Sequence, residues 1–146
     1  MNRMNHVARY LAPFLTGSLV LLIAAWTFFV PTADAHSNEY LATMKGDHGG
    51  MLRMAGNYHF ELVLADGKAR VWVTDHGGMA QSTKGASGTL RVINGSESVS
   101  VRLAPVGGNG LKGTDPRIKL QKGTKLLLVV NMGGDDSPLE TRFVLE

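Results

Sequence analysis

Asp66-Gly67, set between two runs of alternating apolar residues, constrains this chain more than any other stretch. A two-residue Asp-Gly loop is the strongest local signal for a tight β-hairpin, because its backbone twist matches that of the strands it joins. It predicts strands over Asn57 to Leu64 and Lys68 to Thr74. With Asp66 and Gly67 at the turn, Ala65 faces Lys68, and the register continues as Leu64 with Ala69, Leu62 with Val71 and Phe60 with Val73. Those pairs make one face wholly apolar. Side chains alternate across a strand, so the other face carries Val63 with Arg70, Glu61 with Trp72, His59 with Thr74, and Asn57 with His76. The apolar face is the core face. His59, Glu61, Trp72 and His76 are left together outside it, with His59 and His76 diagonal neighbours at about 7–8 Å between backbones. A slip of one residue would send His59 inward.

The rest of the chain repeats the pattern of short strands and tight turns. Met51 to Ala55 reads as a strand ended by Gly56, and Thr89 to Ile93 pairs with Ser98 to Leu103 across Asn94-Gly95. In the latter pair Val99, Val101 and Leu103 share a face opposite Ser98, Ser100 and Arg102. Pro105 to Gly113 reads as a glycine-rich connection, Arg117 to Gln121 and Lys125 to Met132 as strands, and Leu139 to Leu145 as the last. Leu126 to Val130 is apolar on both faces, which predicts a central strand covered on each side. Seven or eight short strands with many of the 18 glycines at turns predict an all-β domain. The expected architecture is an antiparallel β-sandwich of immunoglobulin-like size over residues 51–146, with a small β-barrel as the alternative.

Two segments precede that domain. Arg3 and Arg9, the uncharged 20-residue run Leu11 to Val30, and Ala33-Asp34-Ala35 have the layout of a signal peptide over residues 1–35, a helix cleaved after Ala35. The same run is long enough to span a bilayer, so an uncleaved membrane anchor is the competing reading. Either way the domain is exported, periplasmic or anchored to the inner membrane and facing the periplasm. Residues 36–50 are polar and mixed, with Glu39, Tyr40, Leu41 and Met44 at the spacing of a helical turn; they are expected to form a flexible arm whose order depends on a ligand.

Ligand chemistry is concentrated at the start of the domain. The phrase His-Gly-Gly-Met occurs twice, at His48 to Met51 and at His76 to Met79. Beyond residue 35 the histidines are His36, His48, His59 and His76 and the methionines Met44, Met51, Met54, Met79 and Met132; eight of these nine lie between His36 and Met79. The chain has no cysteine, so thiolate sites are excluded. Imidazole and thioether suit Cu(I) and Ag(I), and imidazole-dominated sets suit Cu(II) or Zn(II). Calcium and magnesium want clustered oxygens, and Asp47, Glu61 and Asp75 lack the spacing of a calcium loop. The expected metal ligands are therefore His48, His59 and His76 with Met51 and Met79, while Met54 and Met132 read as gap-filling core. Cleavage after Ala35 would add His36, whose free amine and ring nitrogen together chelate Cu(II).

Other functions are disfavoured. Removing residues 1–35 takes two of the 15 Lys and Arg and one of the 12 Asp and Glu, leaving 13 against 11. The basic residues are scattered, without the stripe and aromatic interleaving of a nucleic-acid surface. A hydrolase is not expected: Asp75 and His76 are adjacent and project to opposite faces of a strand, and no serine sits in a nucleophile elbow. A non-metal interaction module that docks on a membrane complex through a sheet edge remains the alternative to metal binding.

His48-Gly49-Gly50, the run Met54 to Val63, Thr74-Asp75-His76-Gly77-Gly78 and Lys84-Gly85-Ala86 resemble a small exported domain associated with heavy-metal efflux. That domain is found alone or appended to periplasmic adaptor subunits of metal-exporting tripartite pumps. The similarity runs from about His48 to Phe143 and includes His48, His59 and His76, but not the methionines after Gly-Gly. It implies a periplasmic metal-binding protein in copper, silver or zinc–cobalt handling, with an efflux pump or another metal carrier as partner. The coiled-coil hairpin and lipoyl-like domain of a full adaptor subunit are not expected here.

Overall fold

The Asp66-Gly67 hairpin forms in the predicted register. In the computed structural model, which describes residues 37–134 and 137–146, Tyr58–Ala65 and Lys68–Asp75 pair antiparallel with Phe60 opposite Val73, Leu62 opposite Val71 and His59 opposite Thr74. The segment 1–35, expected as signal peptide or anchor, and the candidate ligand His36 lie outside the described residues.

The described chain has one short helix, α1 (Asn38–Ala42), and eight strands: β1 (Met51–Ala55), β2 (Tyr58–Ala65), β3 (Lys68–Asp75), β4 (Ser87–Asn94), β5 (Glu97–Pro105), β6 (Gly110–Thr114), β7 (Lys125–Asn131) and β8 (Leu139–Val144). All neighbours are antiparallel, in the order β1-β2-β3-β6-β5-β4-β7-β8. The two ends of that order, β1 and β8, lie side by side without exchanging a ladder, so the sheet curls into a nearly closed barrel. The all-β expectation is met, and of the two architectures that the strand spacing allowed, the small barrel is the one built. The corner that makes it a barrel is β5, whose body pairs with β4 while Ala104 and Pro105 pair with β6.

Inside are the residues that alternation assigns there. Phe60, Leu62, Val71 and Val73 from the first hairpin meet Leu90, Val92, Val101 and Leu103 from β4 and β5, and Leu126, Leu128 and Phe143 from β7 and β8. Leu127 and Val129 on β7 are only partly covered, in contrast to the central strand expected to be enclosed on both sides; a barrel has one interior, and they face outward from it.

Two further expectations are corrected. The connection Pro105 to Gly113 contains β6, which closes the gap between β3 and β5. Glycine lowers strand propensity, and here it marks a close backbone approach: a Cβ on Gly113 would sit 2.5 Å from the Arg102 carbonyl oxygen. Arg117 to Gln121 is not a strand. Asp115 turns the chain by accepting from the Arg117 backbone N–H at 2.9 Å and pairing with its guanidinium at 2.7 Å, and Ile118 drops into the core as a plug.

Candidate metal-binding face

The outer face of β2 and β3 carries Glu61, Trp72 and His59 as alternation requires, but Glu61 is not exposed. Its side chain is 7% accessible, covered by residues 46–50 folding back over it. One carboxylate oxygen accepts from the backbone N–H of His48 at 2.7 Å and of Gly50 at 2.8 Å; the other lies 2.8 Å from His48 Nδ1. A buried carboxylate needs such donors, and the arm supplies three.

The arm, expected to be flexible and to await a ligand, is thus laid across the sheet by contacts of its own. Ser37 caps α1 by accepting from the Tyr40 N–H, and Leu41 is buried where α1 packs on β1. Asn38 then grips the Met54 backbone from both sides, its amide nitrogen 3.2 Å from the carbonyl and its amide oxygen 2.7 Å from the N–H. The turn itself depends on glycine. Gly49 has φ +77°, in the left-handed region, and Gly49 N–H and Gly46 N–H donate to Gly46 O and Gly50 O. A Cβ on Gly50 would lie 2.7 Å from the Leu62 carbonyl oxygen and 2.8 Å from Glu61 Cγ. Gly50→Ala is therefore expected to lift the arm and to lower stability by about 1–3 kcal/mol, the usual cost of overpacking, measured as a lower urea midpoint.

These contacts orient His48. An ionised carboxylate only accepts, so His48 Nδ1 carries the proton and, in the neutral ring, Nε2 keeps its lone pair. The ring lies flat on Trp72, with centroids 3.8 Å apart and planes 8° from parallel, and the His48 side chain remains 44% accessible. A carboxylate on one imidazole nitrogen, with the other nitrogen left a lone pair, is the arrangement by which proteins set a metal-binding histidine in one tautomer. Trp72 gives one face to this stack and has the Arg70 guanidinium 5.8 Å from its ring centre, so its role here is to seat His48.

His59 and His76 meet as the register implies. Their ring centroids are 5.0 Å apart with planes 28° from parallel; His59 is half-buried and His76 exposed. His76 opens a tight turn fastened by Asp75, whose Oδ1 accepts from the N–H groups of Gly77 and Met79, both at 2.9 Å.

The methionines fall differently from the doubled phrase. Met51 lies opposite Leu62 and packs against the core, away from His48. Met79 is exposed and faces Asp75 across the turn, one position out of step with His59 and Thr74. Met132 packs against the core as expected. Met54 does not: it pairs with His59 across β1 and β2, on the outer face. Among the described residues, no three or more of His, Cys, Asp and Glu are gathered to hold an ion. What the fold does bring together is the His59 and His76 ring pair, with Met54 opposite His59 in the ladder; imidazole and thioether are donors that suit soft ions. Comparison with protein-family models, with curated proteins and with solved structures finds no match for this chain.

Proposed function

We propose that this is an exported, periplasmic protein that binds a soft transition-metal ion, copper first and silver next, with zinc as the harder alternative. It buffers the ion or hands it on within a heavy-metal resistance or efflux system, and no catalytic step belongs to this reading. The observation that carries it is His48: a buried carboxylate holds Nδ1, an indole seats the ring, and Nε2 keeps its lone pair on a side chain that is 44% accessible. The His59 and His76 rings on the same hairpin add two more nitrogen ligands within a few residues. His48 and His76 are exposed on an outer sheet face, which favours exchange with a partner over permanent storage, since an incoming donor reaches the ion without unfolding the barrel.

The test is a competition titration of the full chain with Cu(I), Ag(I), Cu(II) and Zn(II), in detergent where the N-terminal segment is retained, beside the triple variant His48→Ala, His59→Ala, His76→Ala. The parent is expected to bind a copper or silver ion at least a hundredfold more tightly than the variant. Equal affinities for every metal would reject the reading. Thermal unfolding gives a second readout, since an ion at 100 times its dissociation constant that binds only the folded state adds about 2.7 kcal/mol.

A further inference from the structure

We infer that the thioether of the site is Met54, and that Met54, His59 and His76 together seat a monovalent soft cation, Cu(I) or Ag(I). The inference rests on the metal-binding reading above and replaces its two Gly-Gly methionines with one that the doubled phrase does not contain.

The geometry begins with the turn Gly56-Asn57. It joins β1 to β2 with Ala55 opposite Tyr58, so the next pair outward is Met54 with His59. Directly opposed residues share a face, with Cβ atoms about 5 Å apart, which puts a flexible thioether within reach of the His59 ring. His76 is already against that ring from the other side. Three donors from β1, β2 and the β3 turn thus converge on one patch. Stacked rings do not chelate as they stand. His76 is exposed and free of the ladder, and rotation about its side-chain torsions turns a nitrogen toward an ion held by Met54 and His59.

Met54 is also held in place. β1 ends the strand order on its outer side, and the Asn38 amide occupies the Met54 N–H and carbonyl. The Met54 backbone is accordingly fixed in register opposite His59, and its side chain is half-buried. Met51, packed toward Leu62, would have to leave the core to bind anything, and that opposes its use.

Ion class follows from the donors. Two imidazoles and a thioether, with the His48 imidazole of the reading above as a further donor, are a soft set; Zn(II) binds thioethers poorly and prefers imidazole, carboxylate or thiolate donors. Selectivity for the monovalent ion should therefore depend on Met54 itself.

The experiment uses the full chain labelled with ¹³C at the methionine methyls and titrated with Ag(I), which mimics Cu(I) without redox chemistry. The Met54 methyl resonance, assigned by its loss in Met54→Leu, is expected to shift, while those of Met51 and Met132 stay. Met54→Leu should weaken Ag(I) at least tenfold and leave Zn(II) affinity unchanged, a difference that a purely structural role would not produce. Movement of Met51 or Met79 in place of Met54, or an Ag(I) affinity unchanged in Met54→Leu, overturns this assignment and leaves the histidine reading standing. Absence of Ag(I), Cu(I), Cu(II) and Zn(II) binding by the parent chain overturns both.

Discussion

Glu61→Gln is expected to leave the barrel folded and the arm in place, yet to lower copper or silver affinity about tenfold to a hundredfold, the usual loss when the partner behind a metal-bound histidine is changed. The amide oxygen still accepts from the His48 and Gly50 N–H groups, which hold the turn at 2.7 and 2.8 Å. The amide nitrogen now faces His48 Nδ1 and donates where the carboxylate accepted. Nδ1 must then offer a lone pair, and the ring proton moves to Nε2. His48 stays stacked on Trp72 while presenting an N–H in place of a ligand. Nitrogen-15 chemical shifts of the His48 ring read the tautomer, and competition titration reads the affinity. Glu61→Leu separates tautomer from scaffold: it strips the acceptor from both backbone donors, at about 1–3 kcal/mol for each buried group left without a partner, and so releases the arm as well. Parental affinity in Glu61→Gln would show that His48 is not a ligand.

How far the sequence carries the site is clearest at the methionines. The register arithmetic that works at Asp66-Gly67 works equally at Gly56-Asn57, where it pairs Met54 with His59. Reading Met54 as gap-filling core passes over that signal, because the doubled phrase draws attention to Met51 and Met79. Spacing in sequence says which residues are close along the chain. In a strand, parity decides which of them share a face, and Met51 is three residues from Met54, hence on the opposite one. The burial of Glu61 is another matter. It depends on a turn 11 to 15 residues upstream that has no periodicity and whose N–H groups the carboxylate gathers. Nothing local in 46–50 announces this except its glycines, whose need becomes visible once Glu61 and Leu62 are seen beneath them.

The fold shows the same division. Hairpins with clean alternation, such as β2 with β3 and β4 with β5, are legible because turn chemistry and burial agree. β6 is not, because its glycines answer to a neighbouring backbone and not to strand propensity. Sandwich and barrel differ only in how β5 divides its pairing between β4 and β6, a tertiary choice made by the two residues Ala104 and Pro105.

Parity also yields the sharpest contrast in stability between adjacent residues. Phe60→Ala empties a fully buried ring from the barrel core and is expected to cost about 3–5 kcal/mol, enough to consume much of a small domain's total stability. His59→Ala, one residue earlier and on the outer face, should cost about 1 kcal/mol or less, as surface-side substitutions do. Chemical unfolding of the two variants measures the difference directly, and the reverse order would mean that the hairpin had slipped by one. Adding Ag(I) inverts the comparison. Phe60→Ala leaves Met54 and His59 on their strands and His76 in its turn, so whatever fraction folds should still gain stability from the ion. His59→Ala folds well and should bind the same ion at least tenfold more weakly, so its gain is smaller by about 1.4 kcal/mol, because the residue between the thioether and the second imidazole is gone. Core and site are therefore carried by alternate residues of β2, and each can be removed while the other remains to report on it.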